Sequence, residues 1–297
     1  KLLKENIDEE KIRKSGMDFG IVTISLSDMK GLELYIEDIN EGKLINYLIA
    51  SSRLPIFKQE RMEGKLFLDG GYHNKLPISL LSSKGYRDLI VVKLYKNDTI
   101  FKTVEDDLNI TYVRPSEDLG RILDFSQSRI RKNMKLGYLD TYKAFENLKG
   151  RKYYVRPKNN EGFFLDYFVN LDEATISRIG KILGAPDMPS KRMLFEYIIP
   201  KLIELLELEE DVSYEDIVLA IFEEAAQRYE IERFKIYSFE DIEDAVLEKY
   251  RPSRENLSTK IPRFLKQSDF VLKTFKDGIL NEIIDVLLGN IAWVTSV

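Results

Sequence analysis

The sequence predicts an α/β fold over residues 1–150, followed by a mostly α-helical C-terminal domain over residues 151–297. In the first half of the 297-residue chain, short apolar runs alternate with helical patterns, as they do in α/β proteins. In the second half, helix-capping patterns follow one another, and no strand pattern is found after Leu171. Apolar residues make up 44% of the chain, which is enough for a sizeable core.

The first half contains five strand patterns and one short helical pattern. The strands are predicted at 19–26, 32–36, 65–68, 88–94 and 109–113, and the helix at 44–50. The first two strands are close enough in sequence to form a hairpin. The segment 88–94 is apolar at most positions, which predicts a parallel strand covered on both faces.

The helical character begins before residue 151, with a helix that Ser126 can cap and that ends near Gly150. Apolar residues recur along it at helical spacing: Ile130, Met134, Tyr138, Tyr142 and Phe145. The later helix signals are a segment 172–183 closed by Gly184, a start at Ser190 with a bend near Pro200, and the capping pairs Ser213–Asp216 and Ser238–Asp241.

Composition excludes several classes of chemistry. There is no cysteine and one histidine, His73, so thiolate chemistry and multi-histidine metal sites are excluded. No phosphate-binding or dinucleotide-binding glycine motif occurs, and we expect neither a metal nor a cofactor. No apolar run approaches the roughly 18 residues that span a bilayer. The chain starts with Lys1 rather than Met, so it supports no inference about a signal peptide, and we expect a cytoplasmic protein.

Charge is distributed unevenly. The chain has a net charge of −5, yet residues 201–249 contain 16 acidic and 5 basic side chains. Such a region repels phosphate, so we expect no nucleic-acid partner. The simplest interpretation is an acidic, solvated helical face.

The most unusual local sequence is KLFLDGGYHNKLP at 65–77. A predicted strand runs directly into Asp69, at the position where α/β folds place catalytic groups. Gly70 and Gly71 allow a sharp turn and a close approach of backbone to a ligand. Taken alone, Asp-Gly-Gly is also an ordinary turn sequence.

Together with its surroundings, this segment resembles the second half of a patatin-like phospholipase. The resemblance rests on ASSRLP at 50–55, GKLFLDGG at 64–71 and NKLPI at 74–78, in that order. The strand at 89–92, the stretch RPSEDLG at 114–120 and LDFS at 123–126 resemble bacterial members. In all, the resemblance covers about residues 16–148.

The resemblance implies part of a three-layer α/β/α sheet and a serine–aspartate dyad that hydrolyses lipid acyl esters. Asp69 would be the base that accepts the serine proton, and Gly70 and Gly71 would shape the turn that directs it. The family's nucleophile lies in a G-x-S-x-G elbow preceded by a glycine-rich oxyanion loop, and neither occurs in this sequence. We therefore expect that the chain supplies half of an active site. Expressed alone, it should be inactive and poorly soluble or oligomeric.

The alternative is a non-catalytic binding or regulatory protein that uses the acidic helical region for protein interaction. Other candidate residues have simpler interpretations. His73 is predicted to be an ordinary loop residue, Ser51 and Ser52 to end a helix, and Lys58, Lys65 and Lys75 to be surface charges. Residues 278–294 form an apolar helical face, for which packing on other helices is favoured over transient contact with a membrane surface.

Overall fold

The computed structural model describes residues 2–58, 60–95, 107–209, 211–251 and 275–294. It is a mixed α/β structure with small sheets, so the predicted α/β class is confirmed, whereas a three-layer arrangement is not shown. The chain divides into two compact units. The first contains the described residues of Lys1–Val91 and Ile100–Thr111, and the second those of Val92–Thr99 and Tyr112–Val297.

The first unit combines short helices with a three-stranded sheet. Its elements are α1 (Leu2–Asn6), α2 (Glu9–Lys14), β1 (Gly20–Ser25), β2 (Lys30–Tyr35), a 3-10 turn (Ile36–Asp38), α3 (Leu44–Ser51), β3 (Phe67–Asp69), a 3-10 turn (Gly70–Tyr72) and α4 (Ile78–Ser82). The strand order is β2-β1-β3, and β1 is antiparallel to both neighbours. The predicted hairpin of the first two strands is therefore confirmed.

The core of the first unit is small. Its main cluster of buried residues consists of Ile21, Ile36, Ile39 and Leu44. Arg13 of α2 closes one side of this cluster by donating to the backbone oxygens of Ile36 and Ile39, at 2.9 and 2.6 Å. A polar side chain thus stabilises the turn after β2, where few apolar groups are available.

Strands β4 (Asp88–Val92) and β5 (Asn109–Val113) form a separate pair. They run parallel, since Asn109 bonds to Arg87 at one end and Lys93 to Val113 at the other. The prediction that β4 is covered on both faces is wrong. Leu89 is buried, but Ile90 and Val92 are each 61% exposed. Alternate side chains point to opposite faces, and no described residue buries the second face.

The second unit is mostly helical. Its elements are α5 (Gln127–Phe145), β6 (Tyr154–Val155), α6 (Glu161–Val169), α7 (Glu173–Leu183), α8 (Ser190–Met193), a π-helical turn (Leu194–Ile198), α9 (Ile199–Leu205), α10 (Tyr214–Arg228), β7 (Ile236–Tyr237), α11 (Phe239–Lys249) and α12 (Lys276–Val294). The expectation of no sheet after Leu171 is wrong at one point. The two-residue strand β7 pairs in parallel with β6.

Most of the predicted helix boundaries in the second unit are confirmed by their caps. Ser213 and Ser238 each form a capping box with the aspartate three residues later. Gly184 ends α7 in the left-handed conformation, at φ 72°. A bend or break is predicted near Pro200; the helix instead continues there through the π-helical turn into α9, where Ile199 bonds to the Leu194 oxygen five residues back. This wider turn accommodates the proline, which has no N–H.

The extended core of the second unit contains α10 and α12. Helix α10 packs against α6, α11 and α12, and α12 also contacts α7 and α9. Ile279, Ile283 and Leu287 of α12 are all buried in this core. The favoured interpretation, packing on other helices, is therefore confirmed for residues 279–291, while the side chains of residues 292–294 lie outside the described part of the chain.

Helix α5 differs from its prediction in orientation. The helix is present, but it ends at Phe145, and Ser126 occupies the N-cap position without a side-chain capping bond. Its buried residues are Leu136, Leu139 and Asp140. The predicted apolar face lies outside, with Met134 70% and Tyr138 62% exposed.

The predicted domain boundary at residue 150 falls within the second unit, in the segment between α5 and β6. The two compact units meet instead at 91/92 and 111/112, within β4 and β5. The boundary at 150 remains a prediction for limited proteolysis, which we expect to cut first around 158–161.

Candidate active site

Asp69 is the last residue of β3 and lies opposite Thr23 of β1. Thr23 is fully buried, and its hydroxyl donates to the backbone oxygen of Leu68 at 2.8 Å. On the other side of Asp69, its backbone N–H donates to the oxygen of Arg53 at 2.9 Å. The backbone of Asp69 is therefore fixed by β1 and by the segment that follows α3.

The turn after Asp69 orients its carboxylate. The Oδ1 atom accepts a hydrogen bond from the backbone N–H of Gly71 at 2.7 Å, so Asp69 caps the 3-10 turn Gly70–Tyr72. At Gly70, a Cβ atom would lie 2.1 Å from the backbone oxygen of Val22. Only glycine allows this close approach of the turn to β1.

The second carboxylate oxygen of Asp69, Oδ2, has no hydrogen-bond partner among the described residues, and the residue is half-buried. One oxygen is thus held by backbone while the other is left to accept a proton. This geometry suits a general base positioned on a rigid strand end. It is equally the geometry of an Asp-capped turn, so the catalytic role remains a prediction.

Asn74 anchors the loop that leaves the turn. Its Nδ2 donates to Glu33 Oε1 of β2 at 2.7 Å, and its Oδ1 accepts from the Leu76 backbone at 3.2 Å. The hydroxyl of Ser79 makes a longer bond to the other oxygen of Glu33, at 3.4 Å. Glu33 is not a candidate from the sequence, because nothing in a strand pattern shows which loop will lie against it.

The other candidate residues make contacts that stabilise the fold and are not bonded to Asp69 in the described structure. The exposed His73 packs its ring against Gly31, and no described hydrogen bond joins its imidazole to Asp69. Ser51 ends α3 and Ser52 is its C-cap, as predicted, with the Ser52 hydroxyl bonded back to Leu48. Lys65 pairs with Asp28 at 2.6 Å. None of these groups is brought together with Asp69 as a triad.

The acidic region of the second unit is less solvated than its composition suggests. Glu223 is buried, and its carboxylate accepts backbone N–H bonds from Arg151, Lys152 and Tyr153 at 2.7–2.9 Å. Burial raises the pKa of the Glu223 carboxyl, and these three donors oppose that shift. Glu215, also buried, pairs with Lys149 at 3.1 Å.

Other acidic side chains of this region also have partners within the chain. They are Asp216 and Asp241 in capping boxes, Glu224 and Glu240 in ion pairs with Lys152 and Lys158, and Glu243 as acceptor from the Tyr167 hydroxyl. Asp216, Glu224 and Glu243 are half-buried, so the prediction of a solvated face is wrong for them, whereas Glu240 and Asp241 are exposed. All five side chains have partners within the helical unit.

A buried polar network lies on the inner side of α5, and the sequence analysis did not identify it. The hydroxyl of Tyr154 donates to Asp140 Oδ1 at 2.8 Å, and the backbone N–H of Ser116 donates to Asp140 Oδ2 at 2.9 Å. Arg233 donates to the Ser116 hydroxyl at 3.1 Å and pairs with Glu117 at 2.8 Å. These contacts join three distant parts of the second unit.

Within the described part of the chain, no group of three potential metal ligands is found. Nor does any described helix have the length and apolar character needed to cross a membrane. Comparisons with protein-family models, with curated proteins and with solved structures find no match to this chain. Any function must therefore be argued from the residues around Asp69 and from the sequence resemblance.

Proposed function

We propose that this chain contributes the general base, Asp69, to a lipid acyl hydrolase with a serine–aspartate dyad, as the patatin-like resemblance implies. The observation that carries the proposal is the state of the Asp69 carboxylate. Its Oδ1 accepts a hydrogen bond from Gly71, while Oδ2, at the end of β3, has no partner among the residues that the structure describes. A base on a rigid element loses little freedom when it meets the hydroxyl that it deprotonates.

In this mechanism, Asp69 accepts the proton of a serine hydroxyl while the serine oxygen attacks the ester carbonyl carbon. The proton then passes to the departing alcohol as the tetrahedral intermediate collapses to an acyl-enzyme. Water hydrolyses that intermediate, with Asp69 again accepting a proton. The serine and the oxyanion donors would come from polypeptide other than these 297 residues, since their sequence contains neither motif.

The exposed apolar face of β4 is consistent with an active site that polypeptide outside this chain completes. Ile90 and Val92 expose apolar side chains that a three-layer α/β/α domain would cover. The three-layer arrangement is therefore part of the proposal. The antiparallel sheet β2-β1-β3 would be the portion of that domain that carries Asp69.

The alternative function, a non-catalytic protein that binds partners through its acidic helical region, is supported less well. Glu215, Glu223 and Glu243 are all engaged within the helical unit. Each would have to leave an internal partner to bind an external one. The hydrolase proposal requires no such rearrangement of Asp69.

The first test asks whether activity depends on a serine from outside this chain. The 297-residue chain should not hydrolyse p-nitrophenyl esters. Fused behind a segment that carries a glycine-rich loop and a G-x-S-x-G elbow, it should gain activity that a serine-directed fluorophosphonate blocks. Turnover by the chain alone, abolished by changing Ser51 or Ser52, would contradict the proposal.

The second test concerns the base. In the active fusion, Asp69→Asn should lower kcat by about 10³-fold or more, the scale of losing a catalytic base. Asp88→Asn is a matched control, because Asp88 is also a strand residue and has its own partner, Asn109, at 2.8 Å. His73→Ala should retain most activity. A larger loss from His73→Ala than from Asp69→Asn would show that the dyad assignment is wrong.

A further inference from the structure

The outer side of α5 is an exposed apolar surface, whereas the other long helices that the structure describes, α10 and α12, bury their apolar residues. We call it the α5 surface and define it by Phe125, Ile130, Met134, Tyr138, Tyr142 and Phe145, all of which are exposed. The rings of Tyr138 and Tyr142 lie 5.0 Å apart, one helical turn from each other. Since Leu136 and Leu139 are buried on the opposite side, α5 is apolar on two sides.

The basic residues of α5 are divided between these two sides. On the inner side, Arg129 pairs with Asp124 at 3.0 Å, Lys132 pairs with Glu117 at 2.8 Å, and Lys143 donates to the Gly150 oxygen. Arg131 and Lys135 are exposed, and neither has an acidic partner among the described residues. At 100° per residue, both lie beside Tyr138 and Tyr142.

The α5 surface thus combines exposed aliphatic and aromatic side chains with two unpaired cations along one edge. Apolar groups flanked by Lys or Arg are the pattern of helices that lie in the interface of anionic membranes. Tyrosine suits the same position, because its ring is apolar and its hydroxyl remains in contact with water. The exposed carboxylate of Glu146 lies just beyond the C-terminal end of α5.

We propose that the α5 surface docks on anionic lipid bilayers. Helix α5 lies parallel to the membrane plane, its outward apolar side chains enter the headgroup boundary, and Arg131 and Lys135 contact lipid phosphates. Its 19 residues give a contact about 28 Å long.

A second copy of the chain fits the α5 surface less well. In a two-fold symmetric dimer, each copy would bring its own Arg131 and Lys135 to the same interface. Four cations would then meet at that interface, and the one acidic residue within α5, Asp140, is buried on the inner side and does not face them. An anionic bilayer supplies the missing negative charge.

The proposal is tested by vesicle binding of the full chain. The vesicles contain ether-linked phosphatidylcholine, with or without about one third ether-linked phosphatidylglycerol. Ether lipids cannot be hydrolysed as esters, so binding is measured independently of the proposed hydrolase activity. The chain should sediment with the anionic vesicles, more weakly with neutral ones, and less as salt is raised.

Two double variants separate the contributions of the cations and of the apolar side chains to vesicle binding. Arg131→Gln with Lys135→Gln should weaken binding to anionic vesicles by about 25-fold, at about tenfold per 1.4 kcal/mol and about 1 kcal/mol for each cation. Met134→Ser with Phe145→Ser should weaken binding to both kinds of vesicle. Lys11→Gln with Lys14→Gln is the charge-matched control on α2 and should bind as the parent chain does.

Equal binding by the parent chain and both α5 variants would overturn the proposal, provided that their circular dichroism melting curves agree. Sedimentation of the chain without lipid tests the alternative, in which a second copy of the chain covers the α5 surface. If the parent is an oligomer that Met134→Ser with Phe145→Ser converts to a monomer, and vesicle binding is unchanged, then a second copy covers the α5 surface and the proposal is wrong.

Discussion

Helices α5 and α12 contain 19 residues each and both carry apolar residues at helical spacing, yet they have opposite environments. On α12, Ile283 is fully buried between neighbouring helices. On α5, the comparable row from Ile130 to Phe145 is exposed, and a second row with Leu136 is buried instead. Spacing therefore identifies a helix that has an apolar face, but it does not show which face the protein covers.

The two helices also differ in how polar groups attach them. Polar contacts of α12 include two ion pairs, Arg228 with Asp285 at 2.8 Å and Lys276 with Glu207 at 2.5 Å, and the Tyr250 hydroxyl donating to the Asp285 backbone oxygen. The inner side of α5 is held by the network of Asp140, Tyr154 and Glu117. Both helices thus have polar contacts, but seven apolar residues of α12 are buried against two of α5 among the described side chains, so apolar packing contributes more at α12.

The largest expected effect is at the core of α12. Ile283→Ala should lower the free energy of unfolding by about 3 kcal/mol, since it removes buried methyl groups and leaves a cavity. Urea denaturation measures the change as a lower midpoint with an unchanged slope. Ile130→Ala is the matched control on α5 and should change stability by less than about 0.5 kcal/mol. Equal losses would remove the contrast between the helices.

A smaller effect is expected at the polar attachment of α5. Tyr154→Phe removes the donor to buried Asp140 Oδ1 and should cost about 1.5 kcal/mol, because the carboxylate oxygen loses its partner. Tyr142→Phe makes the same change on the exposed side of the helix. We expect it to be nearly neutral in the same urea experiment. A neutral Tyr154→Phe would mean that the Tyr154–Asp140 hydrogen bond does not contribute to the attachment of α5.

A pH-dependent contribution is expected from Glu117. Burial disfavours its charged form, but the Lys132 hydrogen bond and the Arg233 charge outweigh burial and hold the pKa of Glu117 below its usual value. A lowered pKa stabilises the fold above the unfolded-state pKa of about 4.3, and this stabilisation is lost as pH falls through the folded value.

Glu117→Gln should therefore cost less than about 1 kcal/mol at neutral pH and progressively less below about pH 4. Urea midpoints measured across that range test the prediction. Glu146→Gln removes an exposed carboxylate at the end of α5 and is the control for the loss of one surface charge. A pH-independent difference for Glu117→Gln would indicate loss of packing rather than of charge.

The smallest effect is expected on the outer side of α5. Met134→Ala should change the free energy of unfolding by no more than about 0.5 kcal/mol, because the side chain is already exposed. Leu136→Ala, two residues later on the buried side, should cost about 3 kcal/mol. A large loss from Met134→Ala in the isolated chain would show that its side chain is covered in solution.

The Asp-Gly-Gly segment shows how far local sequence can lead at the candidate site. Strand β3, the turn and the need for glycine at position 70 follow from a few adjacent residues, and the structure has the strand and turn where the sequence places them. The Arg53 backbone that fixes Asp69 lies 16 positions earlier, and the Glu33 carboxylate that anchors Asn74 lies 41 positions earlier. No pattern in the sequence reveals those contacts, since they depend on which segments become neighbours.

The sequence by itself determined the features governed by neighbouring residues. Ser213 and Ser238 begin helices because each hydroxyl can reach a free N–H three residues ahead, and Gly184 ends one because it adopts positive φ without strain. Tertiary structure alone decided that Ile90 and Met134 are exposed while Glu223 is buried. Cap and turn energies arise within a few residues, whereas burial depends on side chains that chain folding brings from far away.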